Sequence, residues 1–279
     1  MIPTRIDFAV IITAENCNPN ADPNSGTPRQ NYEGYGLISD VAIKRKIRNR
    51  LMDLGQPIFV VPAVRALLED NLLSYQARVN AEPELERLIA TKDEAGYYRY
   101  VCSRWYDVRA FGQIFAFKSY NGVTIGVRGP VSISIAKSLD VVLTQQFDIS
   151  RSCNYLEPKG ADKSPFARDN TVLGSRYLVE HGVYVAYGGI YPQLAERTGF
   201  DVADLETLKE ALRTLLVNDA SAMRPLGSME SKTLWITHNS RNGDMSPAEV
   251  RRALNIRPSD KYPYYTYDTA ILGDRLEVL

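Results

Sequence analysis

The longest β-type stretch of the sequence is Val123-Thr124-Ile125-Gly126-Val127-Arg128-Gly129-Pro130-Val131-Ser132-Ile133-Ser134-Ile135. After Pro130, apolar and polar residues alternate strictly, with Ile135 on the apolar side and Ser132 on the polar side. Such alternation is typical of a strand with one buried and one polar face. The stretch therefore predicts strands with one buried and one polar face, and the other elements are described outward from it.

Upstream, the run Ile6–Ile12 is rich in β-branched and aromatic residues and predicts a buried strand. A loop dense in Asn, Pro and Gly follows over residues 16–28; loops of this length are usually functional or flexible. Residues 36–53 then predict a helix, because Ile43, Ile47 and Leu51 recur every four residues and form one apolar face.

Downstream, Val183–Tyr187 predicts a strand that ends in a turn at Gly188-Gly189. Asp201 is placed to cap a helix whose leucines recur at steps of three and four, and Thr233–Thr237 predicts a last core strand. The tyrosine-rich tail over residues 262–267 is expected to be extended and packed on the surface.

Two regions interrupt this pattern. Residues 55–105 predict a mostly helical insertion, with short helices at 64–70 and 84–90 and a strand at Tyr97–Cys102. Residues 151–176 scatter Lys and Arg among Gly, Pro, Asn and Asp and predict an exposed hairpin. Without the insertions the order is strand, helix, strand, strand, helix, strand. We therefore predict an α+β fold with the ferredoxin-like topology of the RNA-recognition motif.

The composition excludes several classes of protein. The chain has 279 residues, 44% hydrophobic and 24% charged, which is ordinary for a folded protein and argues against disorder. No apolar run reaches the ~20 residues of a membrane helix, and Asp7 interrupts any signal peptide. Cys17, Cys102 and Cys153 are too few and too widely spaced for a disulfide framework, so we expect a cytoplasmic protein.

Charge is balanced, with 33 basic and 33 acidic residues, but residues 41–50 hold five cations and no acid. Lys44, Arg45 and Arg48 are spaced to share one helix face. This face is either a solvated surface or a track for successive phosphates. Because the aromatic signature of RNA-recognition motifs is absent, Arg128 and Ser132 suit contacts to a nucleic-acid backbone better than base stacking.

Catalysis has little support in the sequence. The two histidines, His181 and His238, lie in no metal or nucleophile motif, and a structural role is favoured for them. Asp40 is the one carboxylate that a metal-assisted RNase could use, but a helix cap or a partner of the helix dipole explains it better. The motif at 105–112 is interpreted as packing rather than a cofactor site, and we expect no cofactor or metal.

An ordered series of motifs runs over nearly the whole chain. Its members are Asn18-Pro19-Asn20-Ala21-Asp22-Pro23, residues 36–49, Tyr106-Asp107-Val108-Arg109-Ala110-Phe111-Gly112, Arg128-Gly129-Pro130-Val131-Ser132, Tyr184-Val185-Ala186-Tyr187-Gly188-Gly189, Asp219-Ala220-Ser221-Ala222-Met223-Arg224 and Trp235-Ile236-Thr237-His238. In this series the chain resembles the Cascade backbone subunit of type I-C CRISPR systems, which belongs to the RAMP superfamily. It departs from the family pattern at Ala21, where glycine is usual, and at residues 173–177, where one basic group is missing.

The resemblance implies a hand-like subunit that polymerises along crRNA, holds its backbone and leaves the bases free to pair with target DNA, together with other Cascade subunits. The implied parts are a palm (1–54, 122–144 and 181–279), helical fingers (55–121) and a thumb hairpin (145–180). The implied RNA contacts are Lys44, Arg45, Arg48, Arg128, Ser132, Arg151, Lys159, Arg168 and Arg176.

We therefore expect a non-enzymatic RNA-guided assembly subunit. The alternatives are a metal-dependent RNase backbone subunit of a type III-like complex, with Asp40 as the acid, and a simple RNA-binding protein that does not self-assemble.

Overall fold

The structure of the protein is a computed structural model that describes residues 1–116, 124–150 and 173–279. Its α+β class is as predicted. The strands are β1 (Ile6–Cys17), β2 (Tyr35–Ile38), β3 (Gln113–Ala116), β4 (Thr124–Val127), β5 (Val131–Ile133), β6 (Ala136–Val141), β7 (Thr144–Ser150), β8 (Leu173–Ile190), β9 (Met229–Thr237), β10 (Arg257–Pro258), β11 (Tyr265–Thr266) and β12 (Leu276–Val278). The helices are α1 (Asp40–Asp53), α2 (Ala63–Glu69), α3 (Tyr75–Asn80), α4 (Pro83–Ala90), α5 (Glu94–Arg104), α6 (Tyr106–Phe111), α7 (Pro192–Thr198), α8 (Val202–Arg213) and α9 (Pro247–Leu254).

The main sheet is antiparallel and has the order β12-β9-β1-β8-β6-β2, with β5 and β7 also paired to β8. The predicted first strand is confirmed and is longer than expected, since β1 continues to Cys17. In chain order the core elements are β1, α1, β5 with β6, β8, α8 and β9, which is the predicted order of strand, helix, strands, strand, helix, strand.

The first face of the sheet packs against α1 and α8. Ile43 and Ile47 of α1 are fully buried against β1, as their spacing predicted. The predicted capping role of Asp201 is confirmed: its carboxylate accepts the Asp204 N–H at 3.0 Å, and the Asp204 carboxylate accepts the Asp201 N–H at 3.2 Å. These two amphipathic helices bury the largest apolar cluster of the protein.

The second face of the sheet is covered by the C-terminal part of the chain. Ala9 and Ile11 of β1 pack in one cluster with Leu254 of α9, Tyr265 and Leu272. The tail therefore lies on the sheet as predicted, but it does more than cover the surface, because Tyr265 is itself buried.

The insertion has a hydrophobic core of its own, built around Phe59 and Trp105. The strand predicted at Tyr97–Cys102 is wrong, since these residues lie in helix α5. Asp93 caps this helix by accepting the Gly96 N–H at 2.8 Å, and tertiary packing buries Tyr97 and Val101, one helical turn apart. Strand β4 contributes Ile125 and Val127 to the same core.

Three local predictions are corrected. Gly188-Gly189 is not a turn, because β8 continues through both residues to Ile190, between β1 and β5. Ile135 is 53% exposed, because β5 ends at Ile133 and a new strand begins at Ala136, which takes the buried position. The predicted helix over residues 36–53 begins only at Asp40, and β2 precedes it.

The arms of the predicted hairpin at 145–180 are present, since Thr144–Ser150 pairs with the first half of β8. Residues 151–172 lie outside the described part of the chain. Within the described part, no helix is both long enough and apolar enough to span a bilayer.

Candidate nucleic-acid interface

The first loop, helix α1 and strand β8 meet at one end of the sheet. Helix α1 begins after Ser39, whose hydroxyl accepts the Ala42 N–H at 3.2 Å, while the Asn20 side chain accepts the Ser39 N–H at 2.9 Å. The buried Asn18 amide donates to the carbonyls of Gly26 at 3.0 Å and Tyr177 at 3.2 Å. The loop is therefore held against both the helix and the first half of β8.

The cations of α1 do not form one exposed face. Lys44 is partly exposed and pairs with Asp40 at 3.2 Å. Arg45 donates to the carbonyl of Val60 at 2.7 Å, and burial lowers the pKa of its guanidinium. Lys46, which the sequence places among the same cations, is buried against Asp219. The side chains of this helix bond mainly within the protein.

Arg48 is the clearest correction to the predicted phosphate track. It is buried, its Nε donates to Asp107 Oδ2 at 2.8 Å, and its guanidinium lies 5.1 Å from the centre of the Phe111 ring. The reason is that the insertion packs over this side of the helix. An Arg48 substitution would therefore disturb the fold and cannot serve as a surface test of RNA binding.

Arg176 lies on the hairpin, where it is partly exposed and faces Phe147 across the strand pair. It forms no ion pair with any residue that the structure describes. Arg151, Lys159 and Arg168 lie outside the described residues. Of the RNA contacts predicted on the hairpin, Arg176 is thus the one that lies among the described residues.

Arg128 and Ser132 lie at the opposite end of β8 from Arg176. Arg128 is exposed, and the Ser132 hydroxyl donates to the carbonyl of Gly189 at 3.5 Å. Gly189 follows Arg176 by 13 residues of one strand, which corresponds to a contour of about 43 Å. The predicted contacts are therefore spread along the molecule and do not form a single patch.

The second face of the sheet is covered, so bases cannot stack on it. Helix α9 and Tyr265 occupy its centre, over Ala9 and Leu234. On β5 and after it, the side of the chain opposite the core presents Ser132 and Ser134. This arrangement suits contacts to sugar and phosphate better than base stacking.

The candidate catalytic residues have structural partners. Asp40 lies in the first turn of α1 and pairs with Lys44, as expected of a residue that complements the helix dipole. His238 is buried; its Nε2 is 2.9 Å from Asp7 Oδ2, and its Nδ1 accepts the Asp244 N–H at 3.0 Å. His181 is exposed, and its ring packs edge-on against Tyr264. Among the described residues, no group of three or more His, Cys, Asp or Glu is arranged to hold a metal ion.

The residues of the 105–112 motif pack as predicted. Tyr106 is fully buried and its hydroxyl donates to the carbonyl of Asp204 at 2.6 Å, while Arg109 binds the Asp204 carboxylate through two hydrogen bonds of 2.9 and 2.7 Å. Sequence reasoning assigned the motif to packing but gave no partner for it. Nothing in the sequence pattern indicates that Asp107 pairs with Arg48 or that Asp204 pairs with Arg109.

The fold is similar to that of chains in solved structures of CRISPR surveillance complexes. A chain of the solved structure "CRISPR RNA-guided surveillance complex, pre-nicking" matches with a TM-score of 0.50 and 18% sequence identity, covering 83% of this chain and 78% of that chain. A chain of a second structure, "CRISPR RNA-guided surveillance complex", has a TM-score of 0.48 and 15% identity over 93% of this chain and 78% of that chain.

Sequence comparison identifies the family. The family described as CRISPR-associated protein Cas7 matches residues 4–271. A protein of Haloferax volcanii, "CRISPR-associated protein Cas7", is 25% identical over 243 residues, which cover 80% of this chain and 67% of that protein. The chain belongs to the Cas7 family.

Proposed function

We propose that the chain is a backbone subunit of a CRISPR RNA-guided surveillance complex. In this role it polymerises along crRNA, binds the sugar-phosphate backbone and leaves the bases free to pair with target DNA. The observation that carries the proposal is the Cas7 family match over residues 4–271. The fold shared with a chain of a surveillance complex supports it.

The geometry supports a backbone contact rather than sequence readout. The aromatic and aliphatic side chains on the second face of the sheet are packed under α9 and the tail. Arg128 and Arg176 are accessible and form no ion pair within the described ranges, so they can meet phosphates. Such contacts hold a strand in place without reading its bases.

We also assign the chain to type I-C, on the strength of the motif series at residues 18–23, 36–49 and 106–112. Its partners are then the other Cascade subunits, and its place is the cytoplasm, where the free thiols of Cys17 and Cys102 stay reduced. The assignment is tested by identifying the proteins and the RNA that copurify with the chain. A set of subunits from another CRISPR type would contradict it.

RNA should drive assembly. A head-to-tail contact that does not close into a ring gives an open array, so the full chain should form multimers whose mass rises with RNA length. Light scattering after size exclusion, with two RNAs of which one is twice as long, measures this. A closed dimer of constant mass that binds both RNAs would contradict the proposal.

Bound RNA should survive incubation with Mg²⁺ or Mn²⁺. Asp40, the sequence candidate for a metal-binding acid, pairs with Lys44 at 3.2 Å and stabilises the start of α1. Gel analysis of end-labelled RNA should therefore show no cuts for wild type or Asp40→Ala. Cuts at regular spacing that Asp40→Ala abolishes would instead establish the RNase alternative.

A further inference from the structure

Strand β8 leaves the main sheet at one defined point. Its pairing with β1 ends at Cys17, which lies opposite Val179. Beyond this point the first half of β8 pairs with β7 alone among the described strands. We call the part formed by β7 and residues 173–178 the hairpin arm. The arm therefore begins where β1 ends and the first loop starts.

Apolar packing does not fix the direction of the hairpin arm. Phe147 and Ile149 are exposed, and no described residue of the arm belongs to one of the apolar clusters of the protein. A two-stranded hairpin without such packing is only marginally stable in water. The direction of the arm therefore depends on the bonds at its base.

Asn18 makes the decisive bond at the base of the arm. It directly follows β1 and is 1% exposed, and its amide nitrogen donates to the carbonyls of Tyr177 at 3.2 Å and Gly26 at 3.0 Å. The opposite orientation of the amide would set its oxygen against two carbonyl oxygens, so the donor has to face them. Within the described ranges, the bond to Tyr177 is the one hydrogen bond that joins the arm to a part of the chain outside β7 and β8.

Asn18 is itself firmly held. Its backbone N–H donates to the carbonyl of Met223 at 2.8 Å, in the motif that begins at Asp219. The Asp219 carboxylate accepts Arg224 Nε at 3.0 Å and also pairs with the buried Lys46 of α1. The motif thus connects Asn18 to helix α1, and Asn18 connects the helix to the arm.

We propose that Asn18 is a positioning residue for RNA binding. It holds the hairpin arm at a fixed angle to α1 and the first loop, so that Arg176 on the arm and the rest of the subunit meet the same strand. The inference rests on the proposed function. Asn18 is buried and does not itself touch the strand. An element that is fixed in its bound orientation before binding costs less to order, which increases the affinity.

The direction of the arm can be measured without RNA. Nitroxide labels on Ser175→Cys of the arm and Glu206→Cys of α8, both at exposed positions, report their distance by double electron–electron resonance. Cys153→Ser removes one native thiol, and the other two cysteines are buried and do not take the label. The labelled protein with Asn18 intact should give one narrow distance distribution, and Asn18→Ala should give a broad one.

Asn31→Ala is the matched control. The Asn31 side chain accepts the N–H groups of Glu33 at 3.0 Å and Tyr35 at 2.9 Å, so its loss also removes two asparagine hydrogen bonds. These bonds hold the turn before β2 rather than the arm, and the control should keep the narrow distribution. If Asn18→Ala does not fold, Asn18→Ser, which keeps a short polar side chain at this position, is measured in its place.

Titration with labelled single-stranded RNA across a salt series gives the functional result. If the arm of Asn18→Ala takes its bound direction about one tenth of the time, the apparent affinity falls about tenfold. The slope of log affinity against log salt should stay as in wild type, because every cation is still present. Asn31→Ala should bind RNA as wild type does while it is folded.

A narrow distribution for Asn18→Ala, or an equally broad one for Asn31→Ala, would overturn the inference. A broad distribution with unchanged RNA affinity would also overturn it, because the direction of the arm would then not matter for binding. Failure of wild type to bind RNA in the same titration would instead overturn the proposed function, and the distances would still show whether Asn18 fixes the arm.

Discussion

Replacing Asp107 with alanine is expected to lower the free energy of unfolding by about 3–5 kcal/mol, as measured by urea denaturation. Asp107 is fully buried, and its carboxylate accepts three hydrogen bonds: the Phe59 N–H at 2.7 Å, the Val60 N–H at 3.1 Å and Arg48 Nε at 2.8 Å. The substitution leaves a buried guanidinium without a counter-charge and two backbone donors without an acceptor.

Glu84→Ala provides a matched control. Glu84 also pairs with an arginine through two hydrogen bonds, but both side chains are largely exposed. Water screens that pair, so its loss should lower the unfolding midpoint far less than the loss of the buried Asp107 pair. If Asp107→Ala does not fold, Asp107→Asn should give a measurable intermediate, because the amide keeps one acceptor oxygen. Equal midpoints for Asp107→Asn, Asp107→Ala and Glu84→Ala would contradict the assigned role of the carboxylate.

The three bonds of Asp107 join helix α1 to the start of the insertion. Arg48 belongs to helix α1, which packs on the sheet, whereas Phe59 and Val60 begin the insertion with its separate core. One carboxylate therefore fixes the insertion against the helix.

Helices and strands whose own residues carry a cap, a regular apolar spacing or a continuous apolar run could be predicted from the sequence. Helix α8 combines a capping aspartate with leucines at helical spacing, and strand β1 has a continuous apolar run. The sequence predicts a strand where α5 lies because the segment holds three tyrosines and a valine, which favour strands. Burial of Tyr97 and Val101 in the core of the insertion selects a helix instead. Local preference and tertiary packing conflict there, and packing determines the structure.

The candidate site was harder to predict for a related reason. Residue spacing correctly placed Lys44 and Arg48 on α1, but it could not show which cations have partners inside the protein. Asp107, which pairs with Arg48, is 59 positions away in the chain. Ion pairing between distant residues thus decides which charges remain available.

Replacing Gly188 with alanine is expected to destabilise the protein by about 3 kcal/mol, at the upper end of the usual cost of overpacking. Gly188 lies within β8, opposite Phe8 of β1 on one side and Ile133 of β5 on the other. An added Cβ would lie 2.2 Å from Phe8 Cζ and 2.6 Å from the carbonyl oxygen of Ser132. Neither atom can move easily, because Phe8 is buried and stacked on Trp235 and Ser132 is paired in the sheet.

Gly126→Ala separates this packing effect from a general effect of replacing glycine in a strand. Gly126 also lies in a strand, but an added Cβ would have no neighbour within 4 Å. Its substitution should be neutral or stabilise the fold by up to about 1 kcal/mol, because alanine restricts the unfolded chain. Thermal denaturation of both variants measures the difference. A Gly188→Ala protein as stable as Gly126→Ala would mean that the ring of Phe8 does not occupy the space above Gly188, and that β8 does not pass between β1 and β5 there.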